Sequence, residues 1–356
     1  MSTQLELNAK DIILGLGNLN QRFSGKKILL TGAAGFLGHQ FIHYFMALND
    51  SSILKKPCCL FAWDNYLRGI PEWLDFLESR VDIFTRESDI TTDVDYPNPD
   101  FIIHAASIAS PIYYRKYPIE TIDVNVTGLR NLLEYSKRNI VESFLFFSTS
   151  EIYGDPDLNN IPTSEDYRGF VSCTGPRACY DESKRLGETL CVIFFKIHNI
   201  PVKIVRPFNN YGPGLKLTDR RVIPDFFNNI INNNNISLLS DGNATRTFCY
   251  ISDAIEGYLK ALLSKCNGEP FNIGNDKPEI SIGDLAELTI KISGKNLNVT
   301  YDVSSDKEYL TDNPRRRCPS IEKARKLLNF NPKVGLEMGL KRTYQYYLEN
   351  FTLNDS

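Results

Sequence analysis

A glycine-rich turn between an apolar run and an amphipathic segment constrains this fold more than any other part of the chain. Residues 26–31 read KKILLT, which is typical of a buried parallel strand. Gly32, Gly35 and Gly38 follow with the spacing G-x-x-G-x-x-G, and the apolar periodicity of residues 36–47 predicts a helix. Glycine permits a tight turn and a close approach to a pyrophosphate, and a helix N-terminus offers free N–H groups to phosphates. The sequence therefore predicts a dinucleotide site here.

Short apolar runs continue to alternate with helical segments along the first part of the chain. Residues 58–63 (CCLFAW), 100–104 (DFIIH), 143–148 (SFLFFS) and 202–205 (VKIV) each read as a buried strand. Helical segments separate these runs. The order predicts an α/β fold with a Rossmann-like, doubly wound parallel sheet.

The sequence changes character after residue 206, where polar and Asn-rich segments interrupt this rhythm. We expect an N-terminal arm over residues 1–25 and a dinucleotide-binding Rossmann domain over residues 26–206. A smaller C-terminal substrate-binding lobe is expected over residues 207–350. It should be interleaved with the Rossmann domain, because residues 247–275 carry later strands.

The bulk composition excludes several classes of function. The chain has 356 residues and a formal net charge of −3, which indicates neither a nucleic-acid nor an anionic-membrane partner. Its eight cysteines form no C-x-x-C pair and it has four histidines, so we expect no metal site and no disulfide framework. No apolar run approaches the length of a membrane span. We therefore expect a cytoplasmic protein with reduced thiols.

Asp64 stands at the end of the second predicted strand and indicates which dinucleotide is preferred. A carboxylate there can accept hydrogen bonds from both ribose hydroxyls and repels a 2′-phosphate, so NAD is favoured over NADP. Arg68 follows closely and leaves the NADP alternative open, and Asp64 could also be an ordinary turn residue at a strand end.

Tyr180 and Lys184 are candidate catalytic residues because they stand four apart in a helical context, on one helix face. A Lys ammonium beside a Tyr favours the phenolate and should lower the Tyr pKa below its usual value of about 10. Such a Tyr can take a proton from an alcohol. The same spacing also occurs on ordinary half-exposed helices, and the glycine-rich turn is what favours the catalytic interpretation.

Together the glycine-rich turn and the Tyr180–Lys184 pair resemble the extended short-chain dehydrogenase/reductases that act on nucleotide sugars. The resemblance runs over residues 26–347. It implies NAD as cofactor, a nucleotide-sugar substrate, and a homodimer formed through a four-helix bundle by helices at 123–138 and 180–196.

The resemblance also assigns individual residues. The residues expected to bind the cofactor are Gly32, Gly35, Phe36, Leu37, Gly38, Asp64, Asn65, Asp89, Ile90, Ala105, Ala106, Ser107, Asn125, Ser148, Tyr180, Lys184 and Pro207. Those expected to bind the substrate are Tyr113, Tyr114, Asn209, Arg221, Val222, Arg246 and Arg317. The expected catalytic residues are Tyr180, Lys184, Thr149, Ser150, Glu151 and Arg317.

Within that superfamily, the segments STSEIYGDP (148–156) and GPRACYDESKR (175–185) look most like UDP-glucuronate decarboxylases. Nucleotide-sugar 4,6-dehydratases typically carry Asp where this chain has Ser150, and a serine is a far poorer proton donor. C4 epimerases usually lack the acid at Glu151. Arg317 falls on a decarboxylase arginine that enters the active site, where it could orient a carboxylate.

Two features depart from the decarboxylase pattern. Asp123 stands where decarboxylases tend to have Lys, and the segment PFNNYGP (207–213) is closer to dehydratases. A 4,6-dehydratase and a C4 epimerase therefore stay open as alternatives. A non-catalytic, NAD(H)-sensing Rossmann protein is a third, although such a protein should have lost Tyr180 or Lys184.

The decarboxylase resemblance implies one scheme. The Tyr180 phenolate, held by Lys184, removes the C4 hydroxyl proton with Thr149 in the relay, while C4 loses a hydride. The resulting ketone is β to the C6 carboxylate, so CO₂ can leave. Glu151 and Arg317 position the carboxylated ring and manage the C5 proton, and hydride return gives a pentose nucleotide.

Overall fold

The computed structural model describes residues 3–302 and 314–350, in which strands and helices alternate. In chain order the strands are β1 (Lys27–Thr31), β2 (Cys59–Asp64), β3 (Ile83–Glu87), β4 (Phe101–His104), β5 (Ser143–Phe147), β6 (Val202–Pro207), β7 (Asn210–Tyr211), β8 (Ile236–Leu238), β9 (Thr245–Arg246), β10 (Cys249–Tyr250), β11 (Pro270–Ile273), β12 (Ile280–Ser281), β13 (Val299–Tyr301) and β14 (Arg316–Arg317). The helices are α1 (Thr3–Leu16), α2 (Phe36–Asp50), α3 (Pro111–Lys116), α4 (Pro118–Asp123), α5 (Leu129–Arg138), α6 (Ala178–His198), α7 (Val222–Ile231), α8 (Ile251–Leu263), α9 (Ile282–Ser293), α10 (Glu322–Leu328) and α11 (Leu336–Asn350).

The central sheet is parallel throughout. Within residues 3–302 and 314–350 it has seven strands, in the order β11-β6-β5-β4-β1-β2-β3. The order runs outward in both directions from β1 and β4. Such a reversal leaves a crevice at the carboxyl ends of the two strands, where ligands of open α/β sheets bind. Thr31 and His104 are neighbours in register at this edge, with Thr31 Oγ1 2.8 Å from His104 Nδ1.

Both faces of the sheet are covered, because successive strand residues point to opposite sides. Ile28, Leu30 and Ile103 belong to the apolar layer that contains α2 and α8. Leu29 and Ile102 belong to the opposite layer, which contains α5 and α6. A strand buried on both faces needs a continuous apolar run, and such runs are what the sequence displays. The expected α/β, doubly wound fold is confirmed.

Two elements differ from the sequence-based expectation. β3 was not recognised, because it is an edge strand that reads IFTRE and buries only Ile83. The helix expected over residues 123–138 is interrupted: α4 ends at Asp123, Val124–Gly128 is π-helical, and α5 begins at Leu129. π-helical turns inside helices are often found at functional sites.

A small three-stranded sheet with the order β12-β9-β14 brings distant parts of the chain together. β14 pairs with β9 in parallel, so that Arg317 lies opposite Arg246 and Arg316 lies opposite Thr245. Two arginines that are far apart in sequence thereby become neighbours.

The first helix is an integral part of this fold. α1 packs against α2 and α8. Asn8 Nδ2 donates to Gln40 Oε1 at 3.2 Å, and the Tyr250 hydroxyl donates to Asn8 Oδ1 at 2.9 Å. Gln40 Nε2 donates to the Pro213 carbonyl at 2.8 Å, which connects α2 to the turn after β7. Across the described part of the chain, no helix combines the length and apolarity needed to cross a bilayer.

Candidate active site

A large cleft opens at the carboxyl ends of β1 and β4, as the strand order requires. Its volume is about 2290 Å³, and its walls include the glycine-rich turn, the Tyr180–Lys184 pair and the Arg246–Arg317 neighbours. The dinucleotide and sugar features read from the sequence therefore face one continuous space.

The glycine-rich turn presents the N-terminus of α2 to this cleft. Gly32 has φ +76°, and a Cβ there would lie 2.6 Å from the Ala106 backbone nitrogen. A Cβ on Gly38 would lie 2.4 Å from the carbonyl oxygens of Gly32 and Ala33. A Cβ on Gly35, which lines the cleft, would approach only the Gly32 carbonyl, at 3.2 Å. Gly32 and Gly38 thus allow close packing, whereas Gly35 keeps the space before the helix open.

Asp64 is fixed at the end of β2 beside the glycine-rich turn. Its Oδ2 accepts from Ala34 N at 3.0 Å and its Oδ1 accepts from Tyr66 N at 2.9 Å. Burial raises the pKa of the Asp64 carboxyl, and these backbone hydrogen bonds oppose the rise. Arg68 Nη2 lies 3.3 Å from Asp219 Oδ2, and its guanidinium covers the Tyr113 ring at 4.3 Å from the centroid. Arg68 is therefore already engaged by an acid and a ring.

Tyr180 and Lys184 lie on α6 and are both buried at the floor of the cleft. Lys184 Nζ donates to the Phe147 carbonyl at 2.7 Å and lies 5.9 Å from the centroid of the Tyr180 ring. The side chain of Thr149 hydrogen-bonds the Tyr180 phenol. The arrangement brings the expected base, its lysine and the threonine of the relay together.

The expectation that Lys184 lowers the pKa of Tyr180 is wrong for this structure. Burial raises the pKa of the Tyr180 phenol, and the hydrogen bond with Thr149 offsets only part of that rise. Burial also lowers the pKa of Lys184 to about 7, because the ammonium is removed from water. Sequence spacing indicated that the two groups meet but could not indicate how deeply they are buried.

Tyr114 lies against the catalytic candidate. Its ring stacks on that of Tyr180, with centroids 5.2 Å apart and planes at 10°. Tyr114 OH and Ser148 Oγ are buried, both residues line the cleft, and neither atom has a hydrogen-bond partner among residues 3–302 and 314–350. Buried hydroxyls are normally satisfied, so these two atoms indicate positions where a polar ligand could bind.

Glu151 lines the same cleft and is held by two arginines. Thr149 Oγ1 accepts from Glu151 N at 3.2 Å and begins the short 3₁₀ helix Ser150–Tyr153. Arg317 Nη1 and Nη2 donate to the two Glu151 carboxylate oxygens, each at 2.6 Å. Arg177 Nη2 also donates to Glu151 Oε2.

These arginines keep the carboxylate charged. Burial alone raises the pKa of Glu151, but the charges of Arg317 and Arg177 outweigh it and lower the pKa to about 2. Glu151 is therefore ionised at neutral pH and cannot act there as a proton donor. This narrows its expected role in managing the C5 proton to that of an acceptor or a positioning group.

Arg246 is buried next to this cluster and points its guanidinium at the backbone. Its Nη2 donates to the Pro314 carbonyl at 2.6 Å and its Nη1 donates to the Thr245 carbonyl at 2.7 Å. Burial and the charge of Arg317 lower the pKa of Arg246 to about 9. The cations Arg177, Arg246 and Arg317 thus surround one carboxylate, which makes this end of the cleft suited to an anionic ligand.

Most residues singled out from the sequence line the cleft. These are Gly32, Gly35, Phe36, Leu37, Asp64, Asn65, Asp89, Ile90, Ala105, Ala106, Ser107, Tyr114, Ser148, Thr149, Ser150, Glu151, Tyr180, Lys184, Pro207, Asn209, Arg221, Val222, Arg246 and Arg317.

Gly38, Tyr113 and Asn125 stand outside the lining of the cleft. Gly38 lies behind the turn, and Tyr113 is covered by Arg68. Asn125 is buried in the π-helical turn, where it accepts from Ser107 Oγ at 2.8 Å and donates to Ser183 Oγ at 2.9 Å. Asn125 therefore orients Ser107, which lines the cleft, without lining the cleft itself.

Sequence reasoning missed Arg177, which immediately precedes α6 and binds Glu151. A signal was present, because Arg177 precedes Tyr180 by one helical turn and would face the same side. It also missed His39, which lines the cleft and stacks on Trp73 with centroids 4.1 Å apart. No spacing rule points to that contact.

The residues present fit a dinucleotide. Gly35 leaves room before an N-terminus whose N–H groups suit a pyrophosphate. Asp64 offers a carboxylate at the strand end, and Ser148 offers a hydroxyl that has no partner among the described residues and lines the same cleft as Tyr180. The glycine-rich turn, Asp64 and the Tyr180–Lys184 pair would hold such a cofactor along one side of the cleft.

Comparison with known proteins supports this description. Residues 28–274 match the model of the NAD dependent epimerase/dehydratase family. UDP-glucuronic acid decarboxylase 6 of Arabidopsis thaliana is 34% identical over 327 residues, which cover 90% of this chain and 89% of that protein. UDP-glucuronic acid decarboxylase 1 of Xenopus tropicalis is 35% identical over 322 residues, covering 90% of this chain and 72% of that protein.

Solved structures agree with the fold. An epimerase from Methanothermobacter thermautotrophicus superposes with a TM-score of 0.82 at 26% identity, covering 95% of this chain and 96% of that one. UDP-glucuronic acid 4-epimerase from Bacillus cereus, in complex with UDP-glucuronic acid and NAD, gives a TM-score of 0.78 at 30% identity, with coverage of 91% and 100%. By its matched sequence, its sheet and its cleft, the chain belongs to the NAD dependent epimerase/dehydratase family.

Proposed function

We propose that this chain is an NAD-dependent lyase that decarboxylates UDP-glucuronate to UDP-xylose through a 4-keto sugar. The observation that carries the proposal is the cluster of Arg317 and Arg177 around Glu151, next to the buried Tyr180–Lys184 pair. A base for a sugar hydroxyl and cations for a sugar carboxylate share one cleft. The UDP-glucuronic acid decarboxylases among the relatives support the same reaction.

NAD, held by the glycine-rich turn, Asp64 and the Tyr180–Lys184 pair, would supply a ring able to take a hydride from sugar C4 and to return it. Tyr180 takes the proton of the C4 hydroxyl, with Thr149 hydrogen-bonded to the phenol as the second member of the relay. Lys184 Nζ lies 5.9 Å from the centroid of the Tyr180 ring, so its ammonium would stabilise the phenolate as it forms. The same Tyr180 proton returns to the C4 oxygen at the end.

The cation cluster orients the carboxylate for departure. Once C4 is a ketone, the C5–C6 bond can break with its electrons flowing toward the C4 oxygen, and CO₂ leaves. Arg317 would bind the departing carboxylate, and its pair with Glu151 keeps it in the cleft before the substrate arrives. The C5 carbon then takes up a proton, and the net reaction consumes one proton and releases one CO₂.

Product analysis tests the proposal. Purified protein with NAD is incubated with UDP-glucuronate labelled at C6, and released CO₂ and nucleotide products are measured. We expect labelled CO₂ and UDP-pentose in equal amounts, and a loss of roughly 10²–10⁴-fold in rate for Tyr180→Phe, which removes the acid–base group. Absence of CO₂ release by the wild-type protein contradicts decarboxylation.

A C4 epimerase is the second candidate, because the Bacillus cereus 4-epimerase that binds UDP-glucuronic acid is 30% identical to this chain. It would convert UDP-glucuronate to its C4 epimer with the label retained. A 4,6-dehydratase would release water from C6 of a neutral hexose nucleotide. The same assay, extended to UDP- and dTDP-glucose, distinguishes these reactions.

We also propose a homodimer formed through α6 and its neighbour α4. Leu186, Ile193 and Ile197 are exposed on α6 at a spacing that places them on one face. Ile119 and Ile122 are exposed on α4, which packs against α6. Exposed apolar side chains grouped on adjacent helices are typical of an interface.

We propose a cytoplasmic location. All eight cysteines lie in the described residues as free thiols, which suits a reducing compartment.

We also propose that different parts of the chain bind the two ligands. Residues 26–206, with the later strand β11, would hold NAD, residues 207–350 would cover the nucleotide sugar, and residues 1–25 would support α2.

A further inference from the structure

The Glu151 carboxylate is shared unequally by its two arginines. Arg317 contacts both carboxylate oxygens, whereas Arg177 contacts Oε2. Arg177 Nε also lies 3.7 Å from Asp181 Oδ2, one turn along α6. Arg177 is therefore anchored from behind on the same helix as Tyr180, and Arg317 approaches from the separate strand β14.

Binding of a carboxylated sugar creates a conflict for Arg317. If this guanidinium turns toward the substrate carboxylate, it must release at least part of its contact with Glu151. A carboxylate left without a partner in a partly dry site is strongly destabilised. Glu151 exposes only 19% of its side chain, so water cannot fully replace a lost arginine.

Arg177 can keep Glu151 paired in that event, because its contacts with Glu151 Oε2 and Asp181 do not involve Arg317. Arg317, Arg177 and Arg246 all lower the pKa of Glu151 by their positive charge, so this end of the cleft favours a further anion. We propose that Arg177 is a positioning residue that keeps Glu151 paired while Arg317 exchanges Glu151 for the carboxylate of the nucleotide sugar. The inference rests on the proposed use of a carboxylated substrate.

The proposal predicts a loss of binding that depends on the substrate carboxylate. Affinities of NAD-loaded protein for UDP-glucuronate and UDP-glucose are measured by calorimetry, with all variants made on Tyr180→Phe to prevent turnover. Arg177→Gln should weaken UDP-glucuronate binding by roughly 10- to 100-fold, because Arg317 can no longer leave Glu151 without unpairing it. UDP-glucose makes no such demand, and its affinity should change by less than about 3-fold.

Two further variants separate this role from general damage. Arg177→Lys keeps a cation near Glu151 and should restore part of the discrimination. In a Glu151→Gln background no buried anion competes for Arg317, so adding Arg177→Gln should cause no further loss for UDP-glucuronate. Arg68→Gln, which breaks the separate pair with Asp219, is the matched control and should affect both ligands by the same factor.

The outcomes distinguish this inference from the proposed function. If the Tyr180→Phe parent binds UDP-glucuronate no better than UDP-glucose, the carboxylated substrate is wrong and the inference falls with it. If the parent discriminates but Arg177→Gln weakens both ligands equally, or leaves discrimination intact, only the role of Arg177 is overturned. Should Arg177→Gln fail to fold, Arg177→Lys replaces it in the Glu151→Gln background. A further loss of UDP-glucuronate binding there would overturn the role, because no Glu151 carboxylate is left for residue 177 to keep paired.

Discussion

Glycines of the turn after β1 are needed for different physical reasons. At Gly32, both the positive φ and the nearby Ala106 backbone exclude a side chain from the folded chain itself. At Gly35 the backbone has an ordinary extended conformation, with φ −78°. The fold therefore tolerates a side chain at Gly35. Such a side chain would, however, fill the space before the N-terminus of α2 that the cofactor needs. Folding and cofactor binding can be separated at these two positions.

Gly35→Val should abolish measurable NAD binding while leaving the melting temperature within a few degrees of the wild type, because the side chain would enter the cleft in front of the α2 N-terminus. Calorimetric NAD titration and thermal unfolding measure the two effects. Gly32→Ala is the matched comparison and should lower the melting temperature clearly, since its Cβ meets backbone atoms. Equal destabilisation by both substitutions would contradict this assignment.

The Glu151 carboxyl should make stability depend on acid pH. Its folded pKa is lowered from 4.5 to about 2, so its contribution is fully present above pH 4.5 and is lost as the pH falls toward 2. The contribution at neutral pH is at most about 3 kcal/mol. Wild-type protein and Glu151→Gln should differ in free energy of unfolding at pH 6 and converge between pH 4.5 and 2 in urea titrations. A difference that does not change with pH would show that the carboxylate charge is irrelevant.

At the scale of elements, the polar contacts of α1 determine how α2 is supported. Asn8 bonds both Gln40 on α2 and Tyr250 next to α8. Through Gln40 the contact continues to the Pro213 carbonyl, close to the segment that follows β6. The helix that begins at the glycine-rich turn is thus braced from outside the Rossmann sheet.

Asn8→Leu should reduce the free energy of unfolding by about 1–3 kcal/mol for each buried partner left unsatisfied, namely Gln40 and the Tyr250 hydroxyl. Chemical denaturation measures the loss. Leu14→Ala on the same helix is the control, because Leu14 is 78% exposed and its truncation should change stability little. If the control is as destabilising as Asn8→Leu, general helix propensity rather than these hydrogen bonds supports α1.

How much the sequence could predict differs between elements for identifiable reasons. β1, β4 and β5 were recognised because burial on both faces demands apolar runs. β3 was not, since an edge strand such as IFTRE can expose most of its side chains. The sequence predicts one continuous helix over residues 123–138, because a π-helical turn has no distinct pattern of apolar residues.

The same contrast holds inside the cleft. Local spacing placed Tyr180 and Lys184 on one face of α6, and the structure agrees. The direction of the Tyr180 pKa shift was wrong because it depends on burial by distant segments, which spacing does not contain. The pairing of β14 with β9 brings Arg317 into the cleft, where it contacts Glu151. The resemblance to decarboxylases placed Arg317 in the active site, but its contact with Glu151 was not predicted.

At the scale of the whole molecule, dimerisation would require the exposed apolar face of α6. Ile193→Glu combined with Ile197→Glu should convert a dimer to a monomer, because two charges would be buried against the partner's apolar surface. Light scattering coupled to gel filtration gives the mass. Ile140→Glu is the control, since Ile140 is 99% exposed in a turn after α5 and should leave the mass unchanged. A wild-type monomer would refute the proposed dimer directly.

The pairing of β9 with β14 has a consequence for which ligands can bind with full strength. Arg246 and Arg317 face each other across two adjacent strands, whose backbones lie about 4.8 Å apart. Strand spacing is a property of backbone hydrogen bonding, so the backbones of the two arginines keep this separation whatever side chains surround them. Arg246 also donates to the carbonyl of Pro314, which lies just before β14. A change that displaces β14 would therefore disturb both arginines at once, so that the anion-binding end of the cleft forms or fails as a unit.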